Sequence, residues 1–181
     1  LKASQEYCSE QGAYFLSLFD DEDVIEGQAS VAVEIEEQLG RVPDHIVLPV
    51  GGGGLSAGTF SYFGDDCAYT FVEPTGAQSL KVAVDAGAPM TVSKVDTFVD
   101  GAAVARIGER TFARLKGIDG STVLHLDEDR ICTTILEMLN VEGIVLEPAG
   151  AMSIEVLSEI LDQIKGKTVV CVASGGNFDF E

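Results

Sequence analysis

The run Val50-Gly51-Gly52-Gly53-Gly54-Leu55 constrains this chain more than any other stretch, because it joins a short apolar segment, residues 45–50, to an amphipathic one that begins near Leu55. A strand entering such a turn and a helix leaving it put four residues without Cβ atoms where the backbone bends sharply. Consecutive N–H groups then converge on one anion, and the positive end of the helix dipole adds to them. A phosphate cradle is the expectation. A flexible linker would be polar on both flanks, whereas Ile46, Val47 and Leu48 precede this run and Leu55 follows it.

At 181 residues, 46% hydrophobic and 23% charged, the chain has enough apolar material for one buried core. It holds no run of about 18 apolar residues and no basic-then-apolar leader pattern, so a cytoplasmic protein with no membrane partner is expected. The formal charge of −19 repels a phosphate backbone, and nucleic acid is not expected as a partner. Two acidic runs, Asp20-Asp21-Glu22-Asp23 and Asp127-Glu128-Asp129, each precede an apolar-periodic segment and suit solvated helix starts. Cys8, Cys67, Cys132 and Cys171 are scattered without C-x-x-C pairing and are expected to be reduced thiols. His45 and His125 fall at the start of one expected strand and inside another, which suits structural roles.

Short β-rich runs alternate with longer amphipathic ones, the pattern of a parallel sheet covered by helices. Strands are expected over 13–16, 45–50, 68–73, 122–126 and 168–173. Helices are expected over 2–11, 24–39 (closed by Gly40), 55–63, 78–86, 107–115, 128–139 and 149–164. Right-handed crossovers make this an α/β fold, a three-layer α/β/α sandwich with a mostly parallel sheet, whose ligands bind at the carboxyl ends of the strands. Two suspicious turns fall at such ends: the tetraglycine loop and Ser174-Gly175-Gly176-Asn177. An ordinary surface turn would also account for the second.

The glycine loop admits two ligands. Gly52, Gly54 and Ala57 satisfy G-x-G-x-x-A, and Glu73 stands roughly 20 residues on, where a ribose-binding acid belongs in a dinucleotide site. Four contiguous glycines exceed what that fingerprint needs, and a single phosphate suits the same geometry. A non-catalytic, Rossmann-like dinucleotide module therefore stands beside a phosphate-anchored cofactor.

A wider set of segments carries a resemblance. These are residues 19–28 (Phe-Asp-Asp-Glu-Asp-Val-Ile-Glu-Gly-Gln) with Glu34-Ile35, Pro49 through Leu55, Val72-Glu73-Pro74, Asp100-Gly101-Ala102-Ala103-Val104, Glu147-Pro148-Ala149-Gly150-Ala151, and Ser174-Gly175-Gly176-Asn177. In this order they closely resemble the threonine dehydratases, a family of fold-type II pyridoxal-phosphate enzymes that is similar to serine dehydratases and serine racemase. The resemblance runs over almost the whole chain, and the tetraglycine-leucine loop separates it from cysteine synthases and tryptophan synthase β chains.

The resemblance implies pyridoxal 5'-phosphate as cofactor, a small-molecule amino-acid substrate, a homo-oligomer, and an ammonia-lyase reaction that converts L-threonine to 2-oxobutanoate and ammonia in isoleucine biosynthesis. It assigns the N–H groups of Gly51, Gly52, Gly53, Gly54 and Leu55 to the cofactor phosphate and the Ser174 hydroxyl to the pyridine nitrogen. Gly101 and Glu147 are placed along the cofactor. No catalytic residue is assigned, because the family's Schiff-base lysine motif and the Ser/Asn loop after it have no counterpart here. Lys2, Lys81, Lys94, Lys116, Lys165 and Lys167 all lie in other contexts. The expectation is that residues 1–181 are an incomplete cofactor-binding portion, inactive alone, without the lysine-bearing region and small domain. Glu73 and Ala77 match two of three positions that hold a divalent metal in serine racemase, but Ser79 replaces the acid at the third, so no metal is expected.

Overall fold

A computed structural model describes residues 2–177. Leu1 and the last four residues of the expected 1–181 portion lie outside the described residues. The chain starts with α1 (Lys2–Gln11), then α2 (Glu22–Gln28), α3 (Ser30–Leu39), β1 (His45–Pro49) and α4 (Gly54–Phe63). It continues through β2 (Ala68–Pro74), α5 (Ser79–Ala86), α6 (Glu109–Leu115) and β3 (Val123–Leu126), and ends in α7 (Glu128–Glu137), α8 (Pro148–Glu155), α9 (Leu157–Ile164) and β4 (Val169–Cys171). The four strands form one parallel sheet in the order β3-β2-β1-β4.

Burial on both faces explains the near-continuous apolar strands, since a parallel sheet gives an alternating polar face no solvent to meet. Every residue of β1 is buried. Ile46, Leu48 and Phe71 point to one layer, where they meet Ile25, Ala57, Leu80, Phe112 and Leu115 of α2, α4, α5 and α6. Val47, Val72 and Leu126 point to the other, against Ile131, Met152 and Ile160 of α7, α8 and α9 and Val156 between the last two. The expected three-layer α/β/α architecture is present. No helix among the described residues is long and apolar enough to cross a membrane.

Four expected elements differ. Residues 13–16 join no strand ladder: this segment runs over the surface, with Tyr14 exposed and its hydroxyl donating to Asp21 at 2.6 Å. The helix expected over 24–39 is two, broken at Ala29, where α4 crosses so closely that a Cβ on Gly58 would lie 2.7 Å from the Ala29 nitrogen. The helix expected over 149–164 is likewise two, parted at Val156. α7 stops at Glu137 and continues as a wider π turn through Glu142 before the left-handed Gly143.

The acidic runs do start helices, with a difference of role. Asp21 caps α2 by accepting the Asp23 N–H at 3.0 Å. Asp20 beside it serves another helix, accepting N–H groups of Glu109, Arg110 and Thr111 at 3.1, 2.7 and 3.3 Å at the start of α6. Asp127 stands at the start of α7 but accepts the Thr75 hydroxyl at 2.8 Å.

Candidate functional site

From β1 the chain crosses to β2 on one side, and it returns on the other side of β1 as β4. That reversal opens a crevice at the carboxyl ends of β1 and β4, the place where open α/β sheets bind ligands. The tetraglycine loop leaves β1 there, and Ser174 follows β4. Between them lies a cleft of about 760 Å³, whose lining includes Gly51, Gly52, Gly53, Gly54, Leu55, Gly101, Glu147 and Ser174. All eight residues singled out from sequence thus meet on one cavity.

The loop's peptide planes are oriented by bonds to its carbonyls. Gly51 O accepts the Ser79 hydroxyl at 3.2 Å, and Gly52 O accepts the Thr111 hydroxyl at 2.9 Å and the Gly108 N–H at 3.4 Å. Gly53 O accepts the Ala57 N–H at 2.8 Å and so begins α4. In a planar trans peptide the N–H points opposite to the C=O, so the N–H groups of Gly52, Gly53 and Gly54 face away from these anchors. Among the described residues, no N–H from Gly51 to Ser56 donates to a protein acceptor. Such a concentration of free donors at a helix start suits an anion.

Glycine is required at two positions. Gly53 has φ +89°, in the left-handed region that side chains disfavour. At Gly52 a Cβ would overlap the Phe19 ring. Ser56 adds a third observation: it lines the cleft and is fully buried, yet its hydroxyl has no protein partner. Free N–H groups, an orphaned hydroxyl and a loop with no room for side chains fit a phosphate group. No lysine or arginine lines the cleft among the described residues, so neutral donors and the α4 dipole provide the positive potential.

The far wall is built from the start of α8. Glu147 precedes Pro148 at the first helical position, and its N–H donates to Gly175 O at 3.1 Å, tying α8 to the Ser174 loop. Its carboxylate lies against Gly101, where a Cβ would be 3.1 Å from Oε1. Ser174 itself is exposed at the rim.

Glu73 is elsewhere. Its carboxylate is fully buried and accepts the Leu80 and Lys81 N–H groups at 2.6 and 2.9 Å, closing the start of α5. A ribose in the cleft does not meet it, which removes the acid that the dinucleotide pattern needs. Burial pushes its carboxyl up to about 7, against the lowering effect of the Leu80, Lys81 and Ser79 donors. His125 Nε2 lies 3.9 Å away without a hydrogen-bond partner, and burial holds that imidazole below the usual histidine range. Burial therefore opposes the charged form of both groups. His45 Nε2 meets the Thr70 hydroxyl at 2.8 Å, within the sheet and away from the cleft.

Comparison with known proteins bears on what the cleft holds. Residues 1–175 match the model of the pyridoxal-phosphate dependent enzyme family. The chain belongs to the pyridoxal-phosphate dependent enzymes. Among curated members of that family, it is 44% identical over 181 residues to the biosynthetic L-threonine dehydratase of Bacillus subtilis, covering 98% of this chain and 43% of that protein. It is 46% identical over 172 residues to the corresponding protein of Mycobacterium leprae, covering 93% of this chain and 40% of that one. The chain therefore spans less than half the length of these curated relatives. The processed threonine deaminase isoform 2 of Solanum lycopersicum superposes with a TM-score of 0.88 at 36% identity, over 97% of this chain and 52% of that one. The T.th. threonine deaminase gives 0.87 at 29% identity, over 99% of this chain and 62% of that one. A pyridoxal-phosphate enzyme needs a phosphate anchor, and the tetraglycine loop has the geometry of one.

Two contributors to the site escape a reading of the sequence. Thr111 carries no signal, because its partner Gly52 is 59 residues away in the chain. Ser79 stands out in the sequence only as a missing metal ligand, and it is in fact a donor to the glycine loop.

Proposed function

We propose that these residues form the phosphate- and ring-binding side of a cytoplasmic, homo-oligomeric threonine dehydratase, which converts L-threonine to 2-oxobutanoate and ammonia. The observation that carries this reading is the convergence of the free N–H groups of Gly51 to Leu55 with Ser174, Gly101 and Glu147 on one cleft, in a chain whose curated relatives are named as threonine dehydratases. The loop N–H groups are assigned to the cofactor phosphate, and the Ser174 hydroxyl to the ring nitrogen. A neutral hydroxyl there does not hold a proton on that nitrogen as a carboxylate would, which suits β-elimination over transamination. Bound in this cleft, the cofactor supplies the electron sink for bond breaking at the substrate Cα.

The described residues bring no amine to the cleft: none of the six lysines lines it. The lysine that would hold the cofactor and move the Cα proton is therefore assigned outside residues 2–177, and residues 1–181 are read as the cofactor-binding portion of the catalytic unit. The test is 2-oxobutanoate release from L-threonine with added pyridoxal 5'-phosphate, with L-serine run in parallel. A protein joining these residues to a cofactor-binding lysine turns L-threonine over. In it Ser174→Ala lowers the rate roughly 10-fold to 1000-fold, the effect of losing one positioned polar contact. The 181 residues alone stay at the rate of cofactor in buffer. Turnover above that background would place the amine among the lysines present and overturn the assignment.

A further inference from the structure

A loop of four glycines has a weakness that follows from its strength. The missing Cβ atoms that let N–H groups converge also let each peptide plane rotate with little steric resistance, and a rotated plane turns its carbonyl oxygen toward the anion. The loop cannot hold its own planes. We propose that Thr111, seconded by Ser79, is a positioning residue that keeps the phosphate cradle open, by holding the Gly52 and Gly51 carbonyls against the protein. The proposal rests on the reading of the tetraglycine loop as the cofactor's phosphate site.

Both hydroxyls are fully buried. Thr111 Oγ1 lies 2.9 Å from Gly52 O and 3.0 Å from Gly108 O, so its single proton is shared between the loop and its own helix. The Gly108 N–H at 3.4 Å backs the same loop carbonyl. Ser79 Oγ lies 3.2 Å from Gly51 O and also bonds the Glu73 carboxylate, so its proton too is shared and it is the weaker brace. With these carbonyls fixed, the N–H groups of Gly53 and Gly52 are fixed toward the cleft by peptide planarity.

The two braces share a design. Each hydroxyl sits in the first turn of a helix whose start is held by a carboxylate from outside that helix. Asp20 holds α6 beneath Thr111, and Glu73 holds α5 beneath Ser79. The cradle is thereby tied to three separate elements of one layer: α4, which it begins, and the starts of α5 and α6.

Calorimetric titration of the protein with pyridoxine 5'-phosphate and with pyridoxine tests this, since neither ligand has an aldehyde and their affinity ratio isolates the phosphate contribution. Thr111→Val lowers that ratio about tenfold, the scale of one hydrogen bond in a buried site. Thr111→Ser keeps it, and Ser79→Ala lowers it by a smaller factor. Pyridoxine affinity stays unchanged in all three. A Thr111→Val protein that keeps the wild-type ratio overturns the proposal, as does a Thr111→Ser protein that falls as far as the valine variant. Should Thr111→Val fail to fold, the Thr111→Ser and Ser79→Ala ratios decide the matter alone. A wild-type protein with no preference for the phosphorylated ligand overturns the cradle reading itself, a result distinct from failure of the braces.

Discussion

At the carboxyl end of β1, the glycine loop is fixed by donors from α5, α6 and its own helix, and Gly53 and Gly54 are buried. At the carboxyl end of β4, two strand positions away from β2, the Ser174 loop is held chiefly by the Glu147 N–H on Gly175 O and the Ser153 hydroxyl on Val172 O at 2.8 Å. Ser174 and Gly176 are exposed, and the Ser174 hydroxyl makes no protein hydrogen bond among the described residues. On the proposed assignment of the two loops, the difference separates two tasks. A phosphate dianion is bound by an array that must be set in advance, because reorienting dipoles during binding costs affinity. A single hydroxyl meeting one ring nitrogen needs only reach.

If that contrast is right, substitutions in the two loops have unequal effects on folding. The largest is expected for Gly53→Val, which puts a β-branched residue at φ +89° with its Cβ 3.0 Å from Ile107 Cδ1. Denaturant unfolding should show a loss of about 3 kcal/mol, combining backbone strain with overpacking. A loss within about 0.5 kcal/mol, the scatter of ordinary surface substitutions, would mean that the loop is not held in this conformation.

Next comes the pH dependence of the carboxylate that fixes α5. Burial raises Glu73 from its ordinary 4.5 to about 7. A carboxyl raised on folding contributes stability that is fully present below its unfolded value and is lost as pH rises through the folded one. Glu73→Gln keeps the neutral form at every pH. Its amide offers one acceptor to the two N–H groups, a loss that is the same at every pH, so the stability difference is expected to move in the variant's favour by about 2 to 3 kcal/mol between pH 5 and pH 8. Parallel stability curves across that interval would show that the Leu80 and Lys81 N–H groups hold Glu73 ionised throughout.

A smaller loss, about 1 kcal/mol, is expected for Asp20→Ala, which strips the acceptor from three N–H groups of α6. Its melting temperature should fall while Asp21→Ala, acting on α2, leaves the phosphate preference of the glycine loop intact. Smallest is Ser174→Ala, within about 0.5 kcal/mol of wild type in unfolding. A destabilisation as large as that of Gly53→Val would erase the contrast between the two loops.

Local chemistry makes most of the fold readable in the sequence. The apolar runs around Ile46-Val47-Leu48 and Tyr69 to Val72 cannot be solvated on either face, and each is a central parallel strand. Gly40 ends α3 in the left-handed conformation, as expected from its place after the last periodic residue. The site is readable because glycine and small polar residues interrupt apolar strands at their carboxyl ends. What escapes is what depends on distance in the chain. Asp20 looks like the start of its own helix and instead holds one 90 residues on. Glu73 matches a ribose-binding acid by spacing, but spacing does not say which way a side chain turns at a strand end, and it turns under α5. The breaks at Ala29 and Val156 leave no mark in the hydrophobic period, since neither residue acts as a helix breaker.

An amide proton–nitrogen correlation spectrum recorded during titration with pyridoxine 5'-phosphate tests directly whether the N–H groups of residues 51–55 receive the cofactor phosphate. The amide resonances of Gly51, Gly52, Gly53, Gly54 and Leu55 are expected to shift most and saturably, and pyridoxine is expected to leave them in place. Saturable shifts centred elsewhere, or glycine-loop resonances equally moved by both ligands, would contradict that assignment.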